Sequence, residues 1–317
     1  MDEPRFDVHP RGMHAKLAID SRDRIGEGPT WDGAGQRLLW SDNEAGVVHE
    51  AKANDSGGWY ESRTWRLGRP IAAAIPRARG GLIVVGGTDI FGLDEASGEI
   101  TPFAWLKADP GGVLFNDAKC DRQGRLWAGT LALDFKTGGG ALYRIDPDGT
   151  VIPMLHNVTV SNGLDWSPDG ATLYYIDSVT LSVDAFDFDT VRGTISNRRP
   201  CVTIARGDGV PDGMTVDREG LLWVAVAGSG EVRCYAPDGA LRTSVQVSTP
   251  AVTSCTFGGS DGAELFITSL GRRLPDAVLA LGVTPAIVER SAKAPGAGGV
   301  FVCRPGATGT PATPFAG

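Results

Sequence analysis

The stretch NGLDWSPDGATLYYID, residues 162–177, joins a polar start, a glycine turn and an apolar run, and it recurs along the chain. Three close copies are EGPTWDGAGQRLLWSD (27–42), NDAKCDRQGRLWAGT (116–130) and DGMTVDREGLLWVAV (212–226). Two weaker copies begin at Ala72 and Ser254. The turn glycines of successive copies are between 42 and 50 residues apart. A repeat of about 40–50 residues built from short β segments is typical of the blades of a β-propeller.

Each copy has the pattern of a strand, a tight turn and a second strand. Gly and Asp in the turns suit hairpins, and the flanking Val, Ile, Leu, Trp and Tyr suit strands. We therefore predict an all-β, six-bladed β-propeller with four antiparallel strands per blade, formed as a single domain by residues 1–317. Residues 1–15 are predicted to be an N-terminal extension. Residues 16–20 are predicted to close the ring by pairing with residues 298–303 in the last blade.

The composition limits the classes of protein to which the chain can belong. A net charge of −8 without a Lys/Arg cluster argues against a nucleic-acid binder. No apolar run has the length of a membrane span, and the N-terminal segment lacks the apolar stretch of a signal peptide. The five cysteines have no metal-ligand spacing. We expect a cytoplasmic protein that acts on a small molecule, without a nucleic-acid or membrane partner; the oligomeric state stays open.

Three long connections are predicted between the strands, at residues 105–114, 134–140 and 270–297. The last is long for a propeller, because most connections in compact domains have only a few residues. Two interpretations of this segment stay open: a lid over the ring, or an excursion at its side.

Four polar residues share one register, eight positions before the turn glycine of their copy: Glu27, Asn116, Asn162 and Asp212. We expect this position to lie at or just before the start of the inner strand of a blade, and the starts of all inner strands of a propeller face one mouth of the central channel. Two carboxylates and two amides form a hard, all-oxygen set suited to one divalent metal ion, Ca²⁺ first, with Mg²⁺ and Mn²⁺ as alternatives. Zn²⁺ stays open, although it usually takes His or Cys ligands. For each residue taken alone, the alternative interpretation is that its side chain caps a turn and binds no metal.

The segments IGEGPTW (from residue 25), FNDAKCDRQGRLWAGT (from 115), VSNGLDWSPDGATLYYIDS (from 160) and PDGMTVDREGLLWVA (from 211) point to one family. These segments resemble the SMP-30/gluconolactonase/luciferin-regenerating-enzyme (LRE-like) family, and the resemblance extends over nearly the whole chain. The resemblance implies six blades and one divalent cation in the channel. It also implies the activity of a sugar-acid lactonase, or the organophosphate hydrolysis of some relatives.

The resemblance further implies roles for individual residues. Glu27, Asn162 and Asp212 match the direct metal ligands of the family. Asn116 matches an asparagine beside the metal that contacts substrate or water and takes part in catalysis. Asp212 also matches the proposed general base or nucleophile, and Asp134 falls where the family often has an acidic residue that contacts sugar hydroxyls.

One position departs from the pattern of the sugar lactonases. These often have Arg two residues before the asparagine that Asn116 matches, whereas this chain has Leu114. Because Leu cannot bind hydroxyl or carbonyl groups, the hypothesis is a less polar lactone or another ester-like substrate. The alternative is that another loop supplies the missing polar contact.

The predicted reaction is the metal-dependent hydrolysis of a lactone, a cyclic ester. Asp212 would take a proton from the attacking water, or would only orient a hydroxide on the metal. Asp117 should point away from the channel by strand alternation and is interpreted as structural. Two other functions stay open: a metal-dependent phosphotriesterase-like or specialised-metabolite enzyme, and a non-catalytic binding propeller that a metal stabilises.

Overall fold

The computed structural model describes residues 13–106 and 112–317. The first strands are β1 Met13–His14, β2 Lys16–Ile19, β3 Gly26–Asp32, β4 Arg37–Asp42, β5 Val47–Ala53, β6 Trp59–Arg66, β7 Ala73–Pro76, β8 Leu82–Gly86, β9 Asp89–Leu93, β10 Ile100–Trp105, β11 Val113–Cys120, β12 Leu126–Ala132 and β13 Gly140–Ile145. The others are β14 Val151–Val158, β15 Ser161–Trp166, β16 Thr172–Asp177, β17 Ser182–Asp189, β18 Thr194–Thr203, β19 Val210–Val216, β20 Leu222–Ala227, β21 Glu231–Tyr235, β22 Leu241–Gln246, β23 Val252–Gly258, β24 Glu264–Ser269 and β25 Val300–Cys303. The helical segments are two 3₁₀ turns, Ser178–Thr180 and Asp276–Leu281, and the helix α1 Pro285–Ser291.

The strands form six sheets that close into a ring. Each sheet has four strands in antiparallel order, except that one sheet carries β1 as a fifth, parallel strand beside β22. The inner strands contact one another in a circle: β3, β7, β11, β15, β19, β23 and again β3. This closed order confirms the predicted all-β, six-bladed propeller.

Both ends of the described chain contribute to the last sheet. Its order is β2, β25, β24 and β23, and β2 pairs antiparallel with β25. The N-terminal segment therefore supplies the outer strand of a blade whose other strands come from the end of the chain. Such closure leaves the ring without a free first or last blade.

The repeated motif folds as a hairpin around an aspartate. In the third blade, the Asp121 carboxylate accepts hydrogen bonds from the backbone N–H of Gln123 (2.9 Å) and the Arg125 guanidinium (2.6 Å). It also accepts the indole N–H of Trp127 (3.1 Å), a side chain that is fully buried between blades. The motif thus builds its own turn and attaches it to the core, because buried polar groups need hydrogen-bond partners.

The connections of the ring differ at the two mouths of the channel. The inner strands begin at one end, which we call the upper mouth, and the turn glycines lie at the other. Residues 270–299, between β24 and β25, form an irregular segment at the upper mouth, which we call the mouth excursion. No helix in residues 13–106 and 112–317 is long and apolar enough to cross a membrane. The predicted loop 105–114 lies partly outside the described residues.

Candidate metal centre and substrate pocket

Irregular strand pairing accompanies each of the four polar residues in the shared register. The pairing of β3 with β4 shifts between Glu27 and Thr30, and that of β11 with β12 shifts around Asn116. The pairings of β15 and β19 shift in the same way at Asn162 and Asp212. A bulge inserts an extra residue and re-aims its side chain, and bulges are frequent beside active sites. These shifts turn the four side chains towards the channel.

Glycine follows three of the four residues because neighbouring inner strands come very close there. A Cβ atom on Gly213 would lie 2.0 Å from the Ser254 hydroxyl oxygen, and one on Gly28 would lie 2.4 Å from the Ala72 carbonyl oxygen. A Cβ atom on Gly163 would lie 2.6 Å from a backbone nitrogen of the next blade. The residues that share the register are therefore packed side by side around the axis.

The two asparagines are oriented by a chain of hydrogen bonds that crosses three blades. The Asn116 side-chain amide donates to the Ser161 carbonyl oxygen (2.7 Å) and to Asn162 Oδ1 (3.0 Å). The Asn162 side-chain amide donates to the Ser178 hydroxyl (2.8 Å), which donates to the Pro211 carbonyl oxygen (2.7 Å). Because the Asn162 nitrogen is occupied by Ser178, its carbonyl oxygen is turned towards Asn116 and the channel.

Within the described part of the chain, no side-chain cation pairs with the two carboxylates of the site. Burial, then the charges of Asp212 and Asp117, raise the pKa of Glu27 well above its ordinary value, while the Gly28 N–H lowers it. Burial and the charge of Asp117 also raise the pKa of Asp212. None of the ion pairs formed by the described residues includes Glu27 or Asp212. This cluster of uncompensated negative charge is an environment that favours a bound cation.

The donor set fits a hard divalent cation. Glu27, Asn162 and Asp212 offer oxygen atoms only, and waters can complete the coordination of Ca²⁺ or Mg²⁺. Among residues 13–106 and 112–317, no three His, Cys, Asp or Glu side chains are grouped so that they could hold a metal. Asn162 would therefore supply the third side-chain ligand as an amide oxygen, which suits calcium better than zinc.

Asp117 adds negative charge near the site, which the sequence argument did not include. Strand alternation predicts that it points away from the channel, yet its charge raises the pKa values of Glu27 and Asp212 in two other blades. Burial raises the pKa of Asp117 itself to about 6. The bulge at Asn116 shifts the pairing of β11 directly before Asp117, so simple alternation does not determine the direction of this side chain. The sequence did contain one indication: the residue after the shared register position is Asp in this copy and Gly in the other three close copies.

A cavity of about 490 Å³ opens at the upper mouth and is lined by all four residues of the shared register. Leu114 and Phe115 also line it, so the leucine at the departure from the sugar-lactonase pattern faces the same space. Asp134 does not line this cavity: it is exposed, and its carboxylate accepts the backbone N–H of Lys136 (3.0 Å) within a turn. The structure therefore brings together every predicted site residue except Asp134.

A known protein family matches most of this chain. Residues 25–271 match the SMP-30/gluconolactonase/LRE-like region. The chain belongs to this family. The match confirms the resemblance inferred from the repeated segments. It covers all four residues of the shared register and ends where the mouth excursion begins.

Individual members of the family align with most of the chain. Regucalcin from Danio rerio is 35% identical over 260 residues, covering 81% of this chain and 86% of its own. The putative sugar lactone lactonase YvrE from Bacillus subtilis is 32% identical over 310 residues, covering 96% and 99%. The solved structure of a luciferin-regenerating enzyme superposes with a TM-score of 0.82 at 28% identity, covering 95% of this chain and 99% of its own. Family membership supports a hydrolase of the lactonase type.

Proposed function

We propose that this protein is a hydrolase that opens a lactone less polar than an aldonolactone and depends on one divalent cation, calcium first. The observation that carries the proposal is the convergence of Glu27, Asn116, Asn162 and Asp212 on one cavity. Two uncompensated carboxylates and two oriented amides form an oxygen-rich site at the base of a pocket of ligand size. The name of the relative YvrE, a putative sugar lactone lactonase, supports the class of reaction.

The residues of the site would have separate tasks in this reaction. Glu27, Asn162 and Asp212 would hold the cation, which as a Lewis acid stabilises the negative charge that develops on the lactone carbonyl oxygen. Asp212 would orient the attacking water and accept its proton as the oxygen bonds to the carbonyl carbon. That proton then passes to the ring oxygen as the ring C–O bond breaks. Asn116 would contact substrate and keep Asn162 Oδ1 turned towards the channel.

The experiment is a hydrolysis panel on chelator-stripped protein reloaded with calcium, magnesium, manganese or zinc. The panel contains aldonolactones, alkyl lactones, acyclic esters and a phosphotriester. We expect cation-dependent lactone hydrolysis that Asp212→Asn and Glu27→Gln each reduce by at least about a hundredfold, since positioning errors of this kind have such effects. Asp238→Asn is the matched control, because Asp238 is an exposed turn residue of the same blade as Asp212.

The results of this panel distinguish a lactonase from a phosphotriesterase-like enzyme and from a binding propeller. Turnover of the phosphotriester without turnover of any lactone would favour the phosphotriesterase-like alternative. Cation binding without turnover of any compound would favour a binding propeller. Full lactonase activity and cation binding in Glu27→Gln would contradict the proposed centre.

Leu114 provides the test of substrate polarity. Its side chain lines the cavity at the position where related sugar lactonases often have Arg. We expect Leu114→Arg to increase kcat/KM for aldonolactones and to reduce it for alkyl lactones. Leu114→Met is the size-matched control, because this exchange keeps the wall apolar. An unchanged preference in Leu114→Arg would mean that another loop sets the polarity of the substrate.

The proposal for the cellular location rests on the oxidation state of the cysteines. All five carry free thiols, and three of them are buried in the blades. Free thiols of this kind suit the reducing environment of the cytoplasm. We therefore propose a cytoplasmic enzyme with a small-molecule substrate.

A further inference from the structure

The mouth excursion is attached firmly to the ring. Its residues Leu274, Val283 and Val288 are buried and pack in one cluster with Val210 and Ala251, which belong to the propeller. The Ser291 hydroxyl, itself fully buried, accepts the Leu274 N–H at 2.9 Å. The excursion is therefore a fixed wall of the upper mouth, held by a core of its own.

The face that this wall turns to the cavity is apolar apart from Arg272. Ala277, Val278 and Leu281 all line the cavity, although Ala277 is exposed and the other two are half-buried. Arg272 pairs with Glu44 (3.2 Å), which also pairs with Arg24 (2.9 Å), and all three side chains are partly exposed. The wall thus offers methyl and methylene groups to whatever enters the pocket.

A second apolar wall is formed by the loop between β12 and β13. Leu133 and Phe135 line the same cavity and are 53% and 45% exposed. Phe135 has a φ of 54°, in the left-handed region that bulky residues seldom adopt. Exposed apolar side chains and a strained backbone cost stability, so their coincidence at a pocket indicates a ligand that covers them.

We propose that the substrate carries an aliphatic substituent, which lies between the mouth excursion and the loop of Leu133 and Phe135. This inference rests on the proposed function and names the substrate class: a lactone whose ring faces Asp212 and whose alkyl chain extends along the apolar walls. The site of the ring and the two walls belong to one continuous cavity. A hydroxylated sugar chain would find few hydrogen-bond partners along these walls, whose polar side chains lining the cavity are Arg272 and Thr137, and unpaired hydroxyls are unfavourable.

The first measurement is a chain-length series of γ-lactones that carry methyl, butyl and octyl substituents. Each buried methylene contributes about 0.8 kcal/mol, which is about a fourfold change in affinity. From methyl to butyl we expect kcat/KM to rise roughly ten- to fiftyfold, mainly through KM, because such contacts are the same in the ground and transition states. The corresponding γ-lactams, which resist hydrolysis, should show the same order of affinity by calorimetry.

The variants Leu133→Ser and Phe135→Asn test the walls. We expect each to reduce the preference for the octyl over the methyl compound about five- to tenfold, since about half of a large apolar contact is lost. Asn is suited to the left-handed backbone of residue 135, so this variant should fold normally. Leu241→Ser is the matched control, because Leu241 is 57% exposed on β22, outside the cavity. Val278→Thr adds a hydroxyl to the opposite wall at nearly constant volume.

The outcomes separate this inference from the proposed function. A chain-length preference that the wall variants weaken and Leu241→Ser preserves supports the inference. Hydrolysis of all three lactones at equal kcat/KM would overturn the inference and leave the proposed function intact. If no lactone is hydrolysed, the proposed function fails, and the lactam affinities decide the inference alone: equal affinities for methyl and octyl compounds would overturn it.

Discussion

Replacing Gly213 with Ala tests whether the close packing of inner strands positions the site. Gly213 follows Asp212 directly, and a Cβ atom there would lie 2.4 Å from the Ser254 Cβ and 2.7 Å from its Cα. Carbon atoms in favourable contact are about 3.5 Å apart or more, so one strand has to move by roughly 1 Å. The movement displaces Asp212 relative to Glu27 and Asn162.

The expected losses of stability and of activity follow from this displacement. Overpacking of a tight contact costs about 1–3 kcal/mol of unfolding free energy. A shift of about 1 Å at a catalytic group reduces activity roughly a hundredfold. We expect Gly213→Ala to lower Tm moderately, to weaken the rise of Tm with added calcium, and to reduce kcat/KM far more than it reduces stability.

Two further variants make the measurement specific. Ser254→Gly removes the hydroxyl oxygen and the Cβ atom, the two nearest contacts of the new methyl group, so it should restore part of the loss in the double variant. Gly33→Ala is the control, because the nearest atoms around its new Cβ would be 4.0 Å away. If Gly213→Ala keeps both the calcium-dependent Tm and kcat/KM of the wild type, the strand contact does not position Asp212.

Three other perturbations have defined outcomes. In the presence of chelator, Glu27→Gln should melt above the wild type because one uncompensated buried charge is lost, and calcium should no longer raise its Tm in scanning fluorimetry. Asp121→Ala should cost about 3–5 kcal/mol in urea unfolding, because it leaves the buried Arg125 charge unpaired; a loss below about 1 kcal/mol would contradict this. Burial lowers the pKa of the His49 imidazole, whereas the carboxylates of Asp23 and Glu61 raise it. The net result is a pKa above the ordinary value of 6.5. His49 therefore stabilises the fold fully below pH 6.5 and loses this contribution as the pH rises through its folded pKa, so His49→Gln should flatten the measured pH dependence of unfolding.

The predictable part of the site depended on patterns that are local in the chain. The six turn glycines and the apolar runs after them predicted the blades, because hairpins are formed by neighbouring residues. The common register of Glu27, Asn116, Asn162 and Asp212 predicted that they share one cavity, since equivalent positions of a ring face the same mouth. The assignment of Asp134 depended on a loop without this register, and the loop directs its carboxylate to its own backbone instead.

Other features required the packed ring. The effect of Asp117 on Glu27 and Asp212 depends on the folded ring, because these three residues belong to different blades. The bulge beside Asp117 likewise depends on the partner strand as well as on the sequence. The sequence alone predicted nothing about the glycines that follow Glu27, Asn162 and Asp212. Only the distances between blades identify them as points of close approach.

The sequence by itself determined the number of blades, the order of the strands and the polar residues that face one end of the channel. The tertiary structure decided which oxygen atoms are free for a cation, and that the mouth excursion is an apolar wall of the pocket. The physical reason is the range of the interactions. Strand and turn preferences act between neighbours in the chain. The effect of the Asp117 charge on Asp212, and the packing of Leu274 and Val210 in one cluster, arise only when the ring brings distant segments together.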